Sequence, residues 1–193
     1  MSSTGTSGRR VGSETRAEIL RVALDLFTSR GFDGTSIRDI AEALGVTKSS
    51  LYYHFAGKEA IIRALLDDRR SDVEELLAWI DEQPPGPDLL HRAAMRWVGS
   101  TSPDRIRGMR FAHANRPVMR KLADDGGDLR AWFDDVVRRV LPEDAPVADV
   151  LRARMAFDTV SAALFAAQTT AATEAEVVEA ALAATAALTR STD

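Results

Sequence analysis

Hydroxyl, amine, phenol and imidazole groups crowd one short run of this chain: Thr47, Lys48, Ser49, Ser50, Tyr52, Tyr53 and His54, interrupted only by Leu51. Such groups hydrogen-bond to anionic oxygens and to the edges of flat heterocycles, and lysine adds charge. Their spacing says how they are presented. Leu51 and Phe55 lie one helical turn apart and point inward. Ser49, Ser50, Tyr52 and Tyr53 are left on or near the opposite side. Thr47 has the chemistry of an N-cap, and the positive end of the helix it starts suits phosphate. Lys48 and Lys58 bracket the run and are two of only three lysines in the chain.

The elements that must hold this run are also legible. Ser36 and Asp39 form a variant capping box, followed by an apolar stripe of Ile37, Ile40, Ala41 and Leu44. Gly45 ends that helix, and Val46 is expected to plug the turn with an apolar side chain. Two short amphipathic helices joined by a turn with one glycine are the layout of a helix-turn-helix, which lays its second helix in a DNA major groove. An earlier helix is expected from a capping box at Thr15 and Glu18, through Ile19, Leu20, Ala23, Leu26 and Phe27, to Gly31. Residues 1–12, rich in Ser, Thr and Gly, are expected to be a disordered arm. Its Arg9 and Arg10 either reach DNA or do nothing.

A long helix is expected from about 58 to 82, stopped by Pro84, Pro85, Gly86 and Pro87. Further helices are expected near 88–100, 104–114, 117–124, 128–141, 146–170 and 174–190. The last two are dense in Ala, Thr and Ser, which lets helix backbones approach closely. No alternating β-branched run interrupts this pattern, so the fold class is all-α.

Composition narrows the function. The chain has 193 residues, 45% hydrophobic and 28% charged, as in ordinary globular domains. No cysteine is present, which excludes disulfides and thiolate metal sites. His54, His91 and His113 lack metal-ligand spacing, and no cofactor is implied. No apolar run approaches the roughly 20 residues of a membrane span, and no secretory signal is visible, so a cytoplasmic location is expected. The net charge is -4, but residues 1–65 hold nine Lys/Arg against seven Asp/Glu. A mildly basic front on an acidic body suits a protein that offers one end to phosphate. A helical enzyme finds no support: no nucleophile elbow, no P-loop, no Cys nucleophile. Two carboxylate pairs, Asp124 with Asp125 and Asp134 with Asp135, diverge around their helices and read as solvated. A helix-turn-helix used only for protein contacts stays open as a rival.

The chain resembles the TetR family of bacterial transcriptional regulators. The resemblance rests on residues 23–27, 31–41, 44–55 and 58–60 and spans about 13–65. It implies a helix-turn-helix DNA-binding domain over 13–57 and a helical regulatory, ligand-binding and dimerisation domain over 58–193. It also implies a homodimer through the last two helices, bound to double-stranded DNA at a palindromic operator. Thr47, Lys48, Tyr52, His54 and Lys58 match positions that hold backbone phosphate. Ser49, Ser50 and Tyr53 match positions that face base edges. Thr35, Ser36 and Arg38 match phosphate or base contacts. His54 is either a contact or a helix cap; Arg38 either reads a base or pairs with Glu42.

The family plan further implies a small hydrophobic or amphipathic ligand. Trp79, Met95, Trp97, Phe111, His113, Met119, Trp132, Phe157 and Gln168 are candidate walls and polar groups for its pocket; each is otherwise core. Gln168 is either a pocket donor or an interhelical hydrogen bond. The expected function is a repressor released from its operator by ligand, the alternative being a ligand-independent or activating regulator.

Overall fold

Helix-forming residues with apolar positions three and four apart wind this chain into eleven α-helices, with no strand among the described residues. The structure is a computed structural model that describes the backbone of residues 5–123 and 129–190 and the side chains of 14–121 and 131–190. Asp124 and Asp125, and residues 1–4 of the expected arm, lie outside the described residues. The helices form two compact units.

The first unit takes the chain up to Asp67 together with Arg107–Leu122. It contains α1 (Gly5–Arg30), α2 (Ile37–Leu44), α3 (Lys48–His54), the start of α4 (Lys58–Asp81), most of α6 (Pro103–Ala114) and most of α7 (Arg116–Ala123). α1 begins at Gly5, well ahead of the expected start at Thr15, so Gly5–Gly12 are helical rather than a disordered arm. Adding residues to a helix already nucleated is inexpensive. The unit also exceeds the expected boundary at 57. Ile61, Ile62 and Ala64 of α4 and Phe111 of α6 are buried in one core with Phe27, Ile40, Leu51 and Phe55. Without them the three helices before residue 57 lack a lid over their apolar faces. Phe27, Phe32 and Phe111 form the aromatic centre, with ring centroids 5.1, 5.7 and 6.3 Å apart, within the range where tilted rings attract.

The turn between α2 and α3 is made as its residues require. Gly45 has φ +67°, which costs glycine little and other residues more. Its N–H bonds Glu42 O, and the Val46 N–H reaches back 3.0 Å to Ala41 O, a Schellman arrangement. Val46 does not plug the turn: it is 37% exposed. Turning its N–H back on α2 leaves its side chain at the surface.

The second unit takes Asp68–Ile106 and the chain from Ala123 on. It holds the rest of α4, α5 (Leu89–Gly99), α8 (Leu129–Val140), α9 (Val147–Phe157), α10 (Thr159–Ala166), a 3-10 turn (Ala167–Thr169) and α11 (Glu174–Thr189). The expected single helix over 146–170 is broken at Asp158, where the Asp158 N–H turns to Met155 O at 3.1 Å. Polar groups explain the break. The Thr159 and Thr185 hydroxyls lie buried 2.7 Å apart, and Thr185 Oγ1 also lies 3.2 Å from Ala156 O. Side-chain bonds to helix carbonyls compete with the regular ladder. α11 packs on α5, α9 and α10 through Val177, Ala181 and Thr185. No described helix is long and apolar enough to cross a membrane.

Gly45→Ala places a side chain with nothing within 4 Å to clash with, so its only cost is the left-handed backbone, roughly 1 kcal/mol. The expected outcome is a melting temperature lower by about 2–4 °C by calorimetry, with Gly45→Asn milder than Gly45→Ala.

Candidate nucleic-acid interface

α3 has seven residues, too few to hold itself together in water, and depends on its ends and one face. The Ser50 N–H donates to Thr47 Oγ1 at 3.1 Å and the Phe55 N–H to Leu51 O at 2.9 Å. Leu51 and Phe55 are buried, and each such side chain stabilises by about 1.5–3 kcal/mol. The opposite face is bare. Lys48, Ser49 and Ser50 are exposed, Tyr52 is 52% exposed and Tyr53 87% exposed. Two aromatics at the surface of an exposed helix are unusual for a plain structural face. Tyr53 meets His54 edge-on at 5.3 Å, and His54, in the last turn of α3, is half-buried.

Beside α3 lies an open cleft of about 400 Å³. Ser36, Arg38, Lys48, Tyr52 and Lys58 line it, with Asp33, Gly57 and Glu59. The first turns of α2 and α4 therefore border the same cleft as the start of α3. Their positive dipole ends favour an anion there. This convergence escapes sequence reading, because residues 33, 38, 48 and 58 meet only through packing. The two carboxylates, Asp33 and Glu59, were not singled out from the sequence either.

Several expected contacts turn out to hold the fold. Thr35 is 1% exposed; its hydroxyl donates to Gly31 O at 2.9 Å and lies 3.2 Å from Leu26 O. Thr35 borders the cleft as well, but its hydroxyl is committed to tying α1 to α2. Ser36 is exposed but committed to the capping box: its N–H and hydroxyl both donate to Asp39 Oδ2, at 2.7 and 2.6 Å. These bonds hold the Asp39 carboxyl below its ordinary value, the Ser36 hydroxyl contributing most. Lys58 donates to Phe32 O at 2.6 Å and sits 4.5 Å above the Phe32 ring. It clamps α4 to the α1–α2 turn while lining the cleft. Arg38 Nε donates to Glu42 Oε1 at 2.7 Å with both groups exposed, a pairing of small net value in water.

The nine candidate ligand residues divide between the two units. Phe111 is buried in the first unit's core and Met119 packs against it. His113 belongs to the same unit. These three stand on the parts of α6 and α7 that belong to the first unit. Trp97 and Phe157 are buried in the second unit, and Trp79, Met95 and Trp132 are half-buried there. Gln168 lies exposed on the 3-10 turn, with no hydrogen bond to a neighbouring helix among the described residues.

Comparison with known proteins places a family on the same stretch of chain. Residues 19–65 match the model of a family described as bacterial regulatory proteins, tetR family. The chain is 42% identical over 79 residues to the HTH-type transcriptional repressor KstR2 of Rhodococcus jostii (strain RHA1), covering 39% of this chain and 36% of that protein. It is 36% identical over 81 residues to the HTH-type transcriptional regulator AcrR of Shigella flexneri, covering 42% of this chain and 38% of that one. The chain thus matches little more than a third of the length of these curated relatives, which are named as transcriptional regulators and not as enzymes. A solved structure, the ketosteroid transcriptional regulator KstR2 of Mycobacterium tuberculosis, shares the fold with a TM-score of 0.63 at 21% identity, covering 91% of this chain and 93% of that one.

Thr35→Val and Tyr53→Ala are expected to separate fold from contact. Thr35→Val removes a buried donor and lowers stability by about 1 kcal/mol, while Tyr53→Ala leaves the melting temperature unchanged and weakens DNA binding; calorimetry and fluorescence anisotropy read the two. The Asp39 interaction sets a pH dependence. Its folded pKa is lowered, so its stabilisation is full above the usual carboxylate value of about 4 and is lost as pH falls through the lowered value. Asp39→Ala is therefore expected to lower the melting temperature at pH 7 and to differ little from the wild type in strong acid.

Proposed function

We propose, from the membership of residues 19–65 in the TetR family of bacterial regulatory proteins, that this chain is a DNA-binding transcriptional regulator. In this reading α3 enters the major groove of duplex DNA, and a second copy places its α3 in the next groove of a near-palindromic operator. The observation that carries it is the two-sidedness of α3: Leu51 and Phe55 buried, Tyr52, Tyr53, Ser49 and Ser50 bare. Ser49, Ser50 and Tyr53 face base edges. Lys48, Tyr52 and Lys58, with the first turns of α2 and α4, take backbone phosphate. Arg38 exchanges Glu42 for a base or phosphate.

Exposed apolar side chains support the homodimer. Val147, Leu151 and Met155 stand four residues apart on α9 and are all exposed, as is Phe165 on α10. On α11, Ala180, Ala183, Ala184 and Ala187 are exposed small residues at helical spacing. Large residues on one helix and small ones on another suit close helix packing between copies.

Repression relieved by a small molecule follows the same reading. A ligand held among Trp79, Met95, Trp97, Trp132 and Phe157 favours a conformer in which the two α3 helices no longer match the 34–36 Å repeat of DNA. α4 and α6 contribute residues to both units and give the change a continuous helical path. The protein acts in the cytoplasm, where its DNA is.

Selection of genomic fragments by the purified protein is expected to return one inverted repeat. Leu151→Glu with Met155→Glu is expected to yield a monomer by light scattering, with operator affinity reduced at least tenfold. Lys48→Ala is expected to weaken all sequences alike and to flatten the salt dependence by about one ion. A wild-type protein that is monomeric at micromolar concentration and binds random DNA as well as its selected sites contradicts the proposal.

A further inference from the structure

Two arginines of the second unit lie over one tryptophan. Arg69 on α4 and Arg105 on α6 have their guanidinium carbons 3.8 and 4.6 Å from the centroid of the Trp97 ring. Their hydrogen bonding is unequal. Arg105 Nε and Nη2 reach Asp72 Oδ2 at 2.9 and 2.7 Å, and Nη1 donates to Ser100 Oγ at 2.8 Å. Arg69 Nη1 is buried, stands 3.8 Å from the same Asp72 oxygen, and has no hydrogen-bond partner among the described residues. Burial, and then the neighbouring Arg105, pull the Arg69 pKa down to about 9, against the opposing pull of Asp72 and Asp158. A desolvated guanidinium with an unsatisfied N–H destabilises a fold. Groups kept at such cost are concentrated where something binds.

The surroundings indicate what binds. Phe133 meets the Trp97 ring edge-on at 5.0 Å and the Phe157 ring at 5.7 Å, so an aromatic wall adjoins the cation. A guanidinium fork matches the two oxygens of a carboxylate. Asp72 and Asp158 beside it disfavour a dianion such as a phosphate monoester, whereas a single negative charge complements one guanidinium whose Nη1 lacks a hydrogen bond.

We propose that Arg69 anchors a ligand subsite for the carboxylate of a small amphipathic organic acid, whose apolar body lies along the Trp97–Phe133–Phe157 cluster. The proposal deepens the ligand-controlled reading above and rests on it.

The test uses the full-length protein with 3-phenylpropanoate and decanoate, each against its neutral alcohol, read by thermal shift and tryptophan fluorescence. The acids are expected to raise the melting temperature in a saturable way and to bind at least tenfold more tightly than the alcohols. Arg69→Met, which keeps an apolar stem, is expected to lose that tenfold preference while melting no lower than the ligand-free wild type, because a buried charge has been removed. Should Arg69→Met not fold, Arg69→Lys keeps the charge without the planar fork and is expected to bind the acids about fivefold more weakly. Equal binding of acids and alcohols, no response to either acid at about 1 mM, or acid binding unchanged in the Arg69 variant overturns the site. An acid that binds through Arg69 without changing operator affinity upholds the site and removes ligand control. An alcohol that releases operator while neither acid binds upholds ligand control and overturns the site.

Discussion

The seating of Leu51 and Phe55 in the first unit's core is the constraint on which the presentation of α3 depends. A helix of seven residues has too few internal hydrogen bonds to persist alone, so its orientation is set by what its inner side touches. Those two side chains share a core with Phe27, Ile40, Ile61 and Phe111. Once they are in place, Ser49, Ser50, Tyr52 and Tyr53 have no apolar surface left to join. The lining of the adjoining cleft follows as well, because the Thr47 cap and the Lys58 clamp sit at the two ends of the same short segment.

The polar residues around that cleft fall into two groups. Lys58 and Thr35 are held by backbone carbonyls of the α1–α2 connection, and they fix where the helix starts lie. Arg38 is held only by an exposed carboxylate, an interaction of small net value in water. The first kind builds the surface; the second can change partner at little cost. Asp33 and Glu59 in the same cleft keep the local charge moderate.

The second unit treats its buried polar groups in two ways. Thr159 and Thr185 satisfy each other and nearby carbonyls, and the bend at Asp158 accompanies that network. Such a closed set specifies one packing. Arg69 is the open case, a cation stacked on Trp97 whose nearest carboxylate is already taken by Arg105.

The residues themselves determined much of this protein. The capping box of Ser36 and Asp39, the Thr47 cap, Gly45 as the turn, the inward Leu51 and Phe55 and the all-helical pattern were legible because each depends on neighbours a few positions away. What depends on distant partners was not. Phe111, His113 and Met119 read as sensor residues but stand in the first unit, where Phe111 is buried in the core and Met119 packs against it. Thr35 read as a surface contact and proved to be an internal tie; Val46 read as a plug and lies exposed. The break at Asp158 and the pairing of Arg69 with Arg105 over Trp97 carry no local signal. Short-range periodicity and capping chemistry are written in adjacent letters, whereas burial, charge neutralisation and the meeting of remote side chains exist only once the chain has closed on itself.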